Sequence, residues 1–336
     1  MATAELAYPK VGNDPVYASE LNRFNNSIWT KVKGGNTTTG GGLIKFSDTI
    51  WQTTSKISSD AGVTWSVGGY GAVADEDIAA TSGANGIAVD ASDGSVSFTS
   101  NSGTTWAAAS TGLSNYSSGG TPAIFGSAAV IGGVFASGIE VWYSTDGGDN
   151  WQVSASGPTE NVYAIVMASA TVGYMVDDNE NIWKTTDGGA NWTDTTDQSP
   201  VTGPNVTMFT TDTDTCYILD GDIPHLSKYI NSTNTSTTIM QKSGSASANE
   251  GRTTNIIQAT NGDICFGFWP TSTGGDSVNL LLFAYDGTDI KQKVIGIGWD
   301  TTNAAWVAGT ATINVLIEVD DILYVQTGNY ILEVPL

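Results

Sequence analysis

Short apolar runs separated by polar turns recur along most of the chain, and the clearest group lies between residues 162 and 193. Four runs follow one another there, and Ser, Thr, Gly or Asp residues separate them: 162–168, 172–176, 181–185 and 191–193. Runs of this length, rich in Val, Ile, Tyr and Trp and bounded by turn residues, are typical of β-strands. The pattern therefore predicts a sheet of four short antiparallel strands.

The same rhythm continues towards the C-terminus. Two more groups of four runs are predicted, at 206–210, 216–219, 225–230 and 237–240, and at 256–259, 264–269, 280–285 and 290–295. Only three runs follow them, at 313–319, 322–325 and 331–334. Because a ring of sheets must close or leave strand edges open, we expect the stretch 28–32 to supply the missing strand and join the two ends of the chain.

A Trp-terminated motif recurs four times in the N-terminal half. Its copies are Ser58-Ser-Asp-Ala-Gly-Val-Thr-Trp65, Thr99-Ser-Asn-Ser-Gly-Thr-Thr-Trp106, Ser144-Thr-Asp-Gly-Gly-Asp-Asn-Trp151 and Thr185-Thr-Asp-Gly-Gly-Ala-Asn-Trp192. The four Trp residues are 41, 45 and 41 residues apart. A fixed period of this length is typical of repeat architectures in which each repeat is one small sheet.

The motif resembles the Asp-box, or BNR, repeat of sialidase-like, photosystem-assembly-factor-like and sortilin-like propellers. This resemblance implies an all-β fold, a single β-propeller of four-stranded antiparallel blades over residues 28–336. Seven blades are favoured and six are the alternative, because the first repeat is too irregular to decide the count.

The motif chemistry indicates a structural role. Asp60, Asn101, Asp146 and Asp187 can accept N–H groups of their own turn, and the Gly two positions later tolerates turn geometry. Trp65, Trp106, Trp151 and Trp192 are expected to fill space between neighbouring sheets. An Asn at the second copy could not act as an acid or base, so we predict no catalytic role for these positions.

Residues 1–27 lie outside the repeat and are predicted to form an N-terminal anchor with a short helix. Asp14-Pro15 is a good helix start, and Tyr17, Leu21, Phe24 and Ile28 would share one helical face. That face would either pack beneath the propeller or mediate attachment and oligomerisation. The segment 11–25 resembles the opening of tailed-virus head or tail fibre proteins, which implies a virion protein.

Charge and composition exclude several classes. The 336-residue chain carries a formal charge of -22, with 34 acidic against 12 basic residues, so it should repel nucleic acid. No apolar stretch is long enough to cross a membrane, and the N-terminus lacks the pattern of a secretory signal. Cys216 and Cys265 lie in apolar runs and are predicted to be buried free thiols, although pairing between them stays open.

Tests for enzyme chemistry are negative or weak. Sialidases of this fold bind the substrate carboxylate with three arginines, whereas this chain has only Arg23 and Arg252. His225 is the single histidine and predicts a strand-end hydrogen bond rather than a metal site or triad. Carboxylate pairs at 75/77, 177/178 and 320/321 are expected to be solvated turn acids. No cofactor is predicted; calcium stays an open alternative, with 212–214 and 177–180 as the best candidates, although ordinary turns are favoured there.

A ligand is expected on the face opposite the repeat turns, where long connections emerge. Tyr70 and Trp269 could stack on a sugar ring, and Arg252 could bind a carboxylate or hydroxyl. For Trp269, packing between blades is the slightly favoured alternative. The favoured function is a non-enzymatic virion protein that binds a host-surface glycan or receptor or contacts the capsid. It would be a homo-oligomer joined to other virion proteins through its N-terminal segment. The alternative is a glycan-active hydrolase that uses a carboxylate pair.

Overall fold

The computed structural model shows an all-β propeller and describes most of the chain between Val32 and Pro335. The described residues are 32–33, 44–47, 49–52, 56–62, 64–68, 78–90, 94–111, 113, 116–199, 206–220, 225–241, 251–253, 255–270, 280–295, 299–300, 305–306, 313–319, 322–327 and 330–335. The described residues contain no helix, and thus no helix that is long and apolar enough to span a membrane. The predicted N-terminal helix, with Tyr17, Leu21, Phe24 and Ile28, lies outside these residues.

Five four-stranded antiparallel blades follow one another in chain order. Blade 1 comprises β2 (Ile44–Lys45), β3 (Trp51–Gln52), β4 (Lys56–Ser58) and β5 (Ser66–Val67). Blade 2 comprises β6 (Ile78–Ser82), β7 (Asn85–Val89), β8 (Val96–Thr99) and β9 (Ala107–Ala108). Blade 3 comprises β10 (Tyr116–Phe125), β11 (Ala128–Phe135), β12 (Gly138–Ser144) and β13 (Gln152–Val153). Blade 4 comprises β14 (Val162–Met167), β15 (Gly173–Asp177), β16 (Asn181–Thr185) and β17 (Thr193–Gln198). Blade 5 comprises β18 (Val206–Thr210), β19 (Thr215–Asp220), β20 (His225–Ile230) and β21 (Thr235–Gln241).

The ring closes through strands from both ends of the chain. The closing blade contains β29 (Ile313–Val319), β30 (Ile322–Thr327), β31 (Tyr330–Pro335) and β1 (Val32–Lys33). Val32 and Lys33 pair with Leu332 and Ile331, so the N-terminal strand lies at the outer edge of this blade. The predicted closure is therefore confirmed, with the pairing at the C-terminal end of the predicted stretch.

A five-stranded sheet lies between blade 5 and the closing blade in the chain. It comprises β22 (Gly251–Thr253), β23 (Ile257–Gln258), β24 (Ile264–Pro270), β25 (Leu280–Tyr285) and β26 (Ile290–Ile295). A two-stranded ribbon, β27 (Trp299–Asp300) and β28 (Ala305–Trp306), follows it. The six four-stranded blades match the smaller of the two predicted blade counts, and the five-stranded sheet is a further sheet beyond those six.

The core is divided among the contacts between successive blades. One cluster joins Ile87 and Val96 of blade 2 to Ile131 of blade 3 and includes Trp151. The next places Trp192 among residues of blades 3 and 4. Trp151 is 4% and Trp192 2% exposed, as expected for rings that fill space between sheets, whereas Trp65 and Trp106 are only half-buried. Cys216 and Cys265 are free and buried, as predicted.

We refer to residues 58–65, 99–106, 144–151 and 185–192 as the four repeat turns. Each connects the third and fourth strands of its blade, which places it on the same face as the turn between the first and second strands. Backbone hydrogen bonds join the two turns within a blade. The Gly147 N–H donates to the Ser127 carbonyl at 2.8 Å in blade 3, and the Gly188 N–H donates to the Thr171 carbonyl at 2.9 Å in blade 4. The turns between second and third strands consequently lie on the opposite face.

Candidate functional site

The third repeat turn shows how the motif residues are used. The Ser144 hydroxyl accepts the Gly148 N–H at 3.0 Å and donates to Asp146 Oδ1 at 2.8 Å. Asp146 Oδ1 also accepts the Asn150 N–H at 2.9 Å, and Oδ2 accepts the Asn150 side-chain amide at 2.8 Å. Trp151 donates its indole N–H to the Gly148 carbonyl at 2.8 Å. Both carboxylate oxygens are thus engaged inside the turn.

The second repeat turn reaches the same geometry with a neutral side chain. Asn101 Oδ1 accepts the Thr105 N–H at 2.9 Å, and the Asn101 side-chain amide donates to Thr105 Oγ1 at 2.8 Å. In the first and fourth turns, Asp60 and Asp187 instead accept the side chains of Thr64 at 2.6 Å and Asn191 at 2.8 Å. The residue four positions after the acid or amide therefore supplies the matching donor or acceptor.

Hydrogen bonding determines the ionisation of the turn acids. Burial by itself would raise the pKa of Asp146, but the hydrogen bonds from Asn150 and Ser144 outweigh it and lower that pKa below 3.8. The pKa of Asp187 is lowered in the same way: burial by itself would raise it, but hydrogen bonds from Asn191 and Thr185 outweigh burial. Both acids are ionised at neutral pH, which does not suit a general acid.

This pairing rule can be tested by converting the third repeat turn to the neutral form of the second. Asp146→Asn alone should destabilise the protein by about 1–2 kcal/mol, because a charge-assisted hydrogen bond is lost and the Asn150 amide must rotate to present its oxygen to the new donor. The double variant Asp146→Asn/Asn150→Thr should recover part of that loss, because it reproduces the donor–acceptor match of the second turn. Urea unfolding of the three proteins at pH 7 measures both effects.

The pH dependence provides the matched control. Because the folded-state pKa of Asp146 lies below 3.8, its contribution to stability is present above that value and lost as the pH falls through the folded-state pKa. Below about pH 4 the wild type should therefore lose stability more steeply than the double variant, which lacks this carboxylate. Equal slopes, or no recovery in the double variant, would contradict the pairing rule.

On the opposite face, Asp177 lies at the end of β15 and is only 1% exposed, so the prediction of a solvated turn acid is wrong for this residue. Its Oδ1 accepts the N–H groups of Asn179 and Asn181 at 3.0 and 2.9 Å. Its Oδ2 accepts the Asn181 side-chain amide at 3.1 Å and the Trp183 indole N–H at 2.8 Å. The neighbouring Asp178 makes one such bond, from Asn161 at 2.9 Å. Asp177 therefore closes a turn with every lone-pair direction in use.

The other stretch considered for calcium, 212–214, also has its oxygens engaged by protein donors. Asp212 Oδ1 accepts the N–H groups of Asp214 and Thr215, both at 2.7 Å. Asp214 accepts the N–H and hydroxyl of Ser232, both at 2.7 Å, and the Ser232 hydroxyl is the leading cause that lowers its pKa. Blade 5 lacks a repeat turn, and Asp214 stabilises the shorter turn that replaces it.

Two of the three predicted ligand residues lie opposite each other. Arg252 of β22 and Trp269 of β24 are register partners in the five-stranded sheet. They lie at the end of β24 away from the turn at residues 259–263, which joins β23 to β24 on the repeat-turn face. The pair therefore belongs to the face opposite the repeat turns. Tyr70, the third predicted residue, lies outside the described residues.

Sequence reasoning missed a set of polar side chains between blades 4 and 5. The Asn234 side-chain amide donates to the Thr195 carbonyl at 2.8 Å. The hydroxyls of Ser199 and Ser227, which are 0% and 2% exposed, lie 3.4 Å apart. We call these four contacting residues the polar seam: Thr195, Ser199, Ser227 and Asn234. Their contacts depend on the packing of blade 4 against blade 5, and no local sequence pattern marks them.

His225 lies beside the polar seam, at the start of β20. It is 5% exposed, and its Nε2 lies 3.2 Å from Thr238 Oγ1. Asp220, its register partner in β19, is 1% exposed. The geometry agrees with a hydrogen-bonding strand-end histidine. Among the described residues, no group of three or more His, Cys, Asp or Glu side chains is arranged to hold a metal ion.

Comparisons with known proteins identify the architecture. Neither the protein-family models nor the curated protein sequences match this chain. Among solved structures, YCF48 bound to D1 peptide is 12% identical, with a TM-score of 0.56, over 90% of this chain and 94% of that one. A catalytically inactive virginiamycin B lyase from Staphylococcus aureus with quinupristin is 14% identical, with a TM-score of 0.58, over 91% and 99% of the two chains.

A glycoside hydrolase is also similar in structure. The GH74 xyloglucanase from Xanthomonas campestris is 15% identical, with a TM-score of 0.63, over 88% of this chain, which spans only 52% of the enzyme. These structures include both enzymes and other proteins, and at such identities they define the fold alone. The chain shares the β-propeller fold with them.

Proposed function

We propose that this chain is a non-enzymatic binding protein of a virus particle, whose propeller contacts a host-surface glycan or receptor. The observation that carries the proposal is the pairing of Arg252 with Trp269 in adjacent strands. An aromatic ring and a guanidinium are the side chains most suited to a sugar face and its hydroxyl or carboxylate groups. Long connections adjoin both residues, and such connections commonly carry binding function.

The chemistry of the acids favours binding over hydrolysis. A glycosidase of the usual kind needs one carboxylic acid with a raised pKa near a second carboxylate. The repeat-turn acids Asp146 and Asp187 have lowered pKa values, and Asp177 accepts four hydrogen bonds. The hydrogen bonds that Asp146 accepts inside its own repeat turn also support the relationship of these turns to Asp boxes.

The virion assignment depends on the N-terminal segment. Residues 11–25 resemble the opening of tailed-virus fibre proteins, and residues 1–27 would attach the propeller to other virion proteins as a homo-oligomer. Mass spectrometry of purified particles from the source culture should then detect the chain. Particles that lack the protein and still adsorb normally to their host would contradict receptor binding.

A glycan array combined with hydrolysis assays tests the binding function. We expect the purified propeller to bind a subset of printed glycans and to release no product from those glycans in solution. Arg252→Ala should lower the affinity by about ten-fold or more, since a hydrogen bond to a charged group contributes roughly 1.5–3 kcal/mol. Product release that disappears on one acid-to-amide change would instead establish the hydrolase alternative.

A further inference from the structure

The chain enters the propeller at the repeat-turn face. β30 and β31 are joined by a turn between second and third strands, so β31 runs from the opposite face towards the repeat-turn face. β1 pairs antiparallel with β31: Val32 is the partner of Leu332, and Lys33 is the partner of Ile331. Because antiparallel neighbours run in opposite directions, Val32 is the end of β1 that lies nearer the repeat-turn face.

This strand direction determines where the N-terminal segment joins the fold. Residues 1–31 precede β1 in the sequence, and they therefore meet the propeller at the repeat-turn face. β31 also ends at that face. The register pair of Arg252 and Trp269 lies on the opposite face. Attachment through residues 1–31 would consequently direct the repeat turns towards the attachment partner and leave Arg252 and Trp269 on the other side.

The repeat-turn face is acidic. No Lys or Arg occurs in its described turns. Acidic residues lie in several parts of the ring, namely in the repeat turns, in blade 5 and in the five-stranded sheet: Asp146, Asp187, Asp212, Asp214, Asp286 and Asp289. Because these residues belong to turns of one face, their negative potentials add at that surface.

The charge of this face is present at neutral pH. Hydrogen bonds are the main cause that lowers the pKa of Asp214 and of Asp286, so both are ionised, like the repeat-turn acids described above. Lys184 lies near Asp214, and Lys291 pairs with Asp286 at 3.3 Å, which partly balances these two acids. The remaining acids have no basic residue in the described turns of the same face. The face therefore carries a net negative charge.

Two other occupants of this face are less well matched in charge. A second copy of the chain would bring the same acidic turns against it, and like charges facing each other across an interface are unfavourable. Residues 1–31 have as many acidic as basic residues, so they would not neutralise the face: Glu5, Asp14 and Glu20 against Lys10, Arg23 and Lys31. A basic surface on another protein is the complementary partner.

We propose that the repeat-turn face docks onto a basic surface of the virion protein that receives residues 1–31, with the opposite face directed outwards. Complementary charges of this kind steer association and fix the orientation of the partners. The proposal rests on the virion function proposed above, and it adds the contact surface and the chemistry of the partner.

The second position of each repeat turn allows the charge of the face to be changed without removing a turn hydrogen bond. Ser100, Thr145 and Thr186 occupy this position in blades 2, 3 and 4, and all three are exposed. The variant Ser100→Lys/Thr145→Lys/Thr186→Lys places three positive charges among the acids of the repeat-turn face.

The matched control adds the same charge to the opposite face. Ala136 and Asn179 lie in turns between second and third strands, and Thr159 lies in the connection from blade 3 to blade 4. All three are exposed. The control variant is Ala136→Lys/Thr159→Lys/Asn179→Lys.

Co-sedimentation of the full-length protein with virus particles that lack it measures docking. The wild type should sediment with the particles, and its binding should weaken as salt is added, because salt screens charges. The repeat-turn variant should bind about ten-fold more weakly or less, since its lysines would face a basic surface. The opposite-face control should bind like the wild type. Unchanged urea unfolding and glycan binding of the repeat-turn variant would show that its fold is intact.

Three results would overturn the proposal. Equal sedimentation of the wild type and the repeat-turn variant would show that this face does not contact the particle, and the virion function would still stand. Weaker sedimentation of the opposite-face control alone would reverse the assigned orientation. A wild type that does not sediment with the particles at all would contradict both the docking surface and the virion function.

Discussion

Gly189→Ala is expected to destabilise the protein by about 2–5 kcal/mol, the sum of an overpacked interface and a strained backbone. Gly189 lies in the fourth repeat turn with a φ of 98°, a region that favours glycine. A Cβ at this position would lie 2.4 Å from Val130 Cγ1 and 3.1 Å from Tyr143 Cβ of blade 3. The added methyl would therefore push two neighbouring blades apart.

Gly287→Ala separates the two causes of this loss. Gly287 has a φ of 95°, nearly that of Gly189, but a Cβ there would meet no atom within 4 Å. Its replacement should cost only the backbone term of about 1–2 kcal/mol. Urea unfolding of both variants measures the difference. If they lose equal stability, the close packing of the repeat turn against blade 3 does not contribute.

Asp177→Ala should lower the free energy of unfolding by about 3–5 kcal/mol. The substitution leaves the N–H groups of Asn179 and Asn181, the Asn181 amide and the Trp183 indole without their acceptor. Asp177 is 1% exposed, so water cannot readily replace the carboxylate. Removal of a buried charged acceptor from several donors is among the costliest single changes.

Asp178→Ala is the adjacent control. Asp178 accepts one hydrogen bond at Oδ2, from the Asn161 side chain at 2.9 Å, while its buried Oδ1 has no hydrogen-bond partner among the described residues, so no other contact is lost. Its loss should therefore amount to less than about 1 kcal/mol. Equilibrium unfolding measures the loss of stability in both variants. Similar losses would show that the Asp177 carboxylate does not stabilise this turn.

The repeat turns could be predicted in detail because their interactions are local. The hydroxyl, acid and paired residue of each copy lie within a few positions of one another, so spacing alone specifies the hydrogen bonds. Strands with apolar cores were also predicted closely: β18 (Val206–Thr210), β20 (His225–Ile230) and β25 (Leu280–Tyr285) have the expected bounds. Alternation and turn residues suffice where one strand face is buried against the next blade.

Polar outer strands were predicted less well. The fourth strand of blade 4 was expected at 191–193 but is β17 (Thr193–Gln198), and β21 (Thr235–Gln241) extends beyond the expected 237–240. Their Thr, Ser and Asp residues carry no hydrophobic alternation, and only packing against a neighbouring blade distinguishes them from a loop. The polar seam escaped prediction for the same reason, since Ser199 and Ser227 meet only through tertiary structure.

For Arg252 and Trp269, too, the sequence predicted the residue types but not their arrangement in the fold. Their residue types suggested ligand contact, but their opposition across β22 and β24 depends on a three-residue strand, Gly251–Thr253, that the sequence pattern does not mark. Gly and Arg are not typical strand residues, and pairing with β24 overrides that weak preference.

Hydrogen–deuterium exchange of the propeller with and without its strongest array glycan tests the central claim most directly, namely that binding occurs opposite the repeat turns. We predict slower exchange in Gly251–Thr253 and Ile264–Pro270 and unchanged exchange in the turns at 144–151 and 185–192. Protection of those repeat turns, with no change at β22 and β24, would contradict the account.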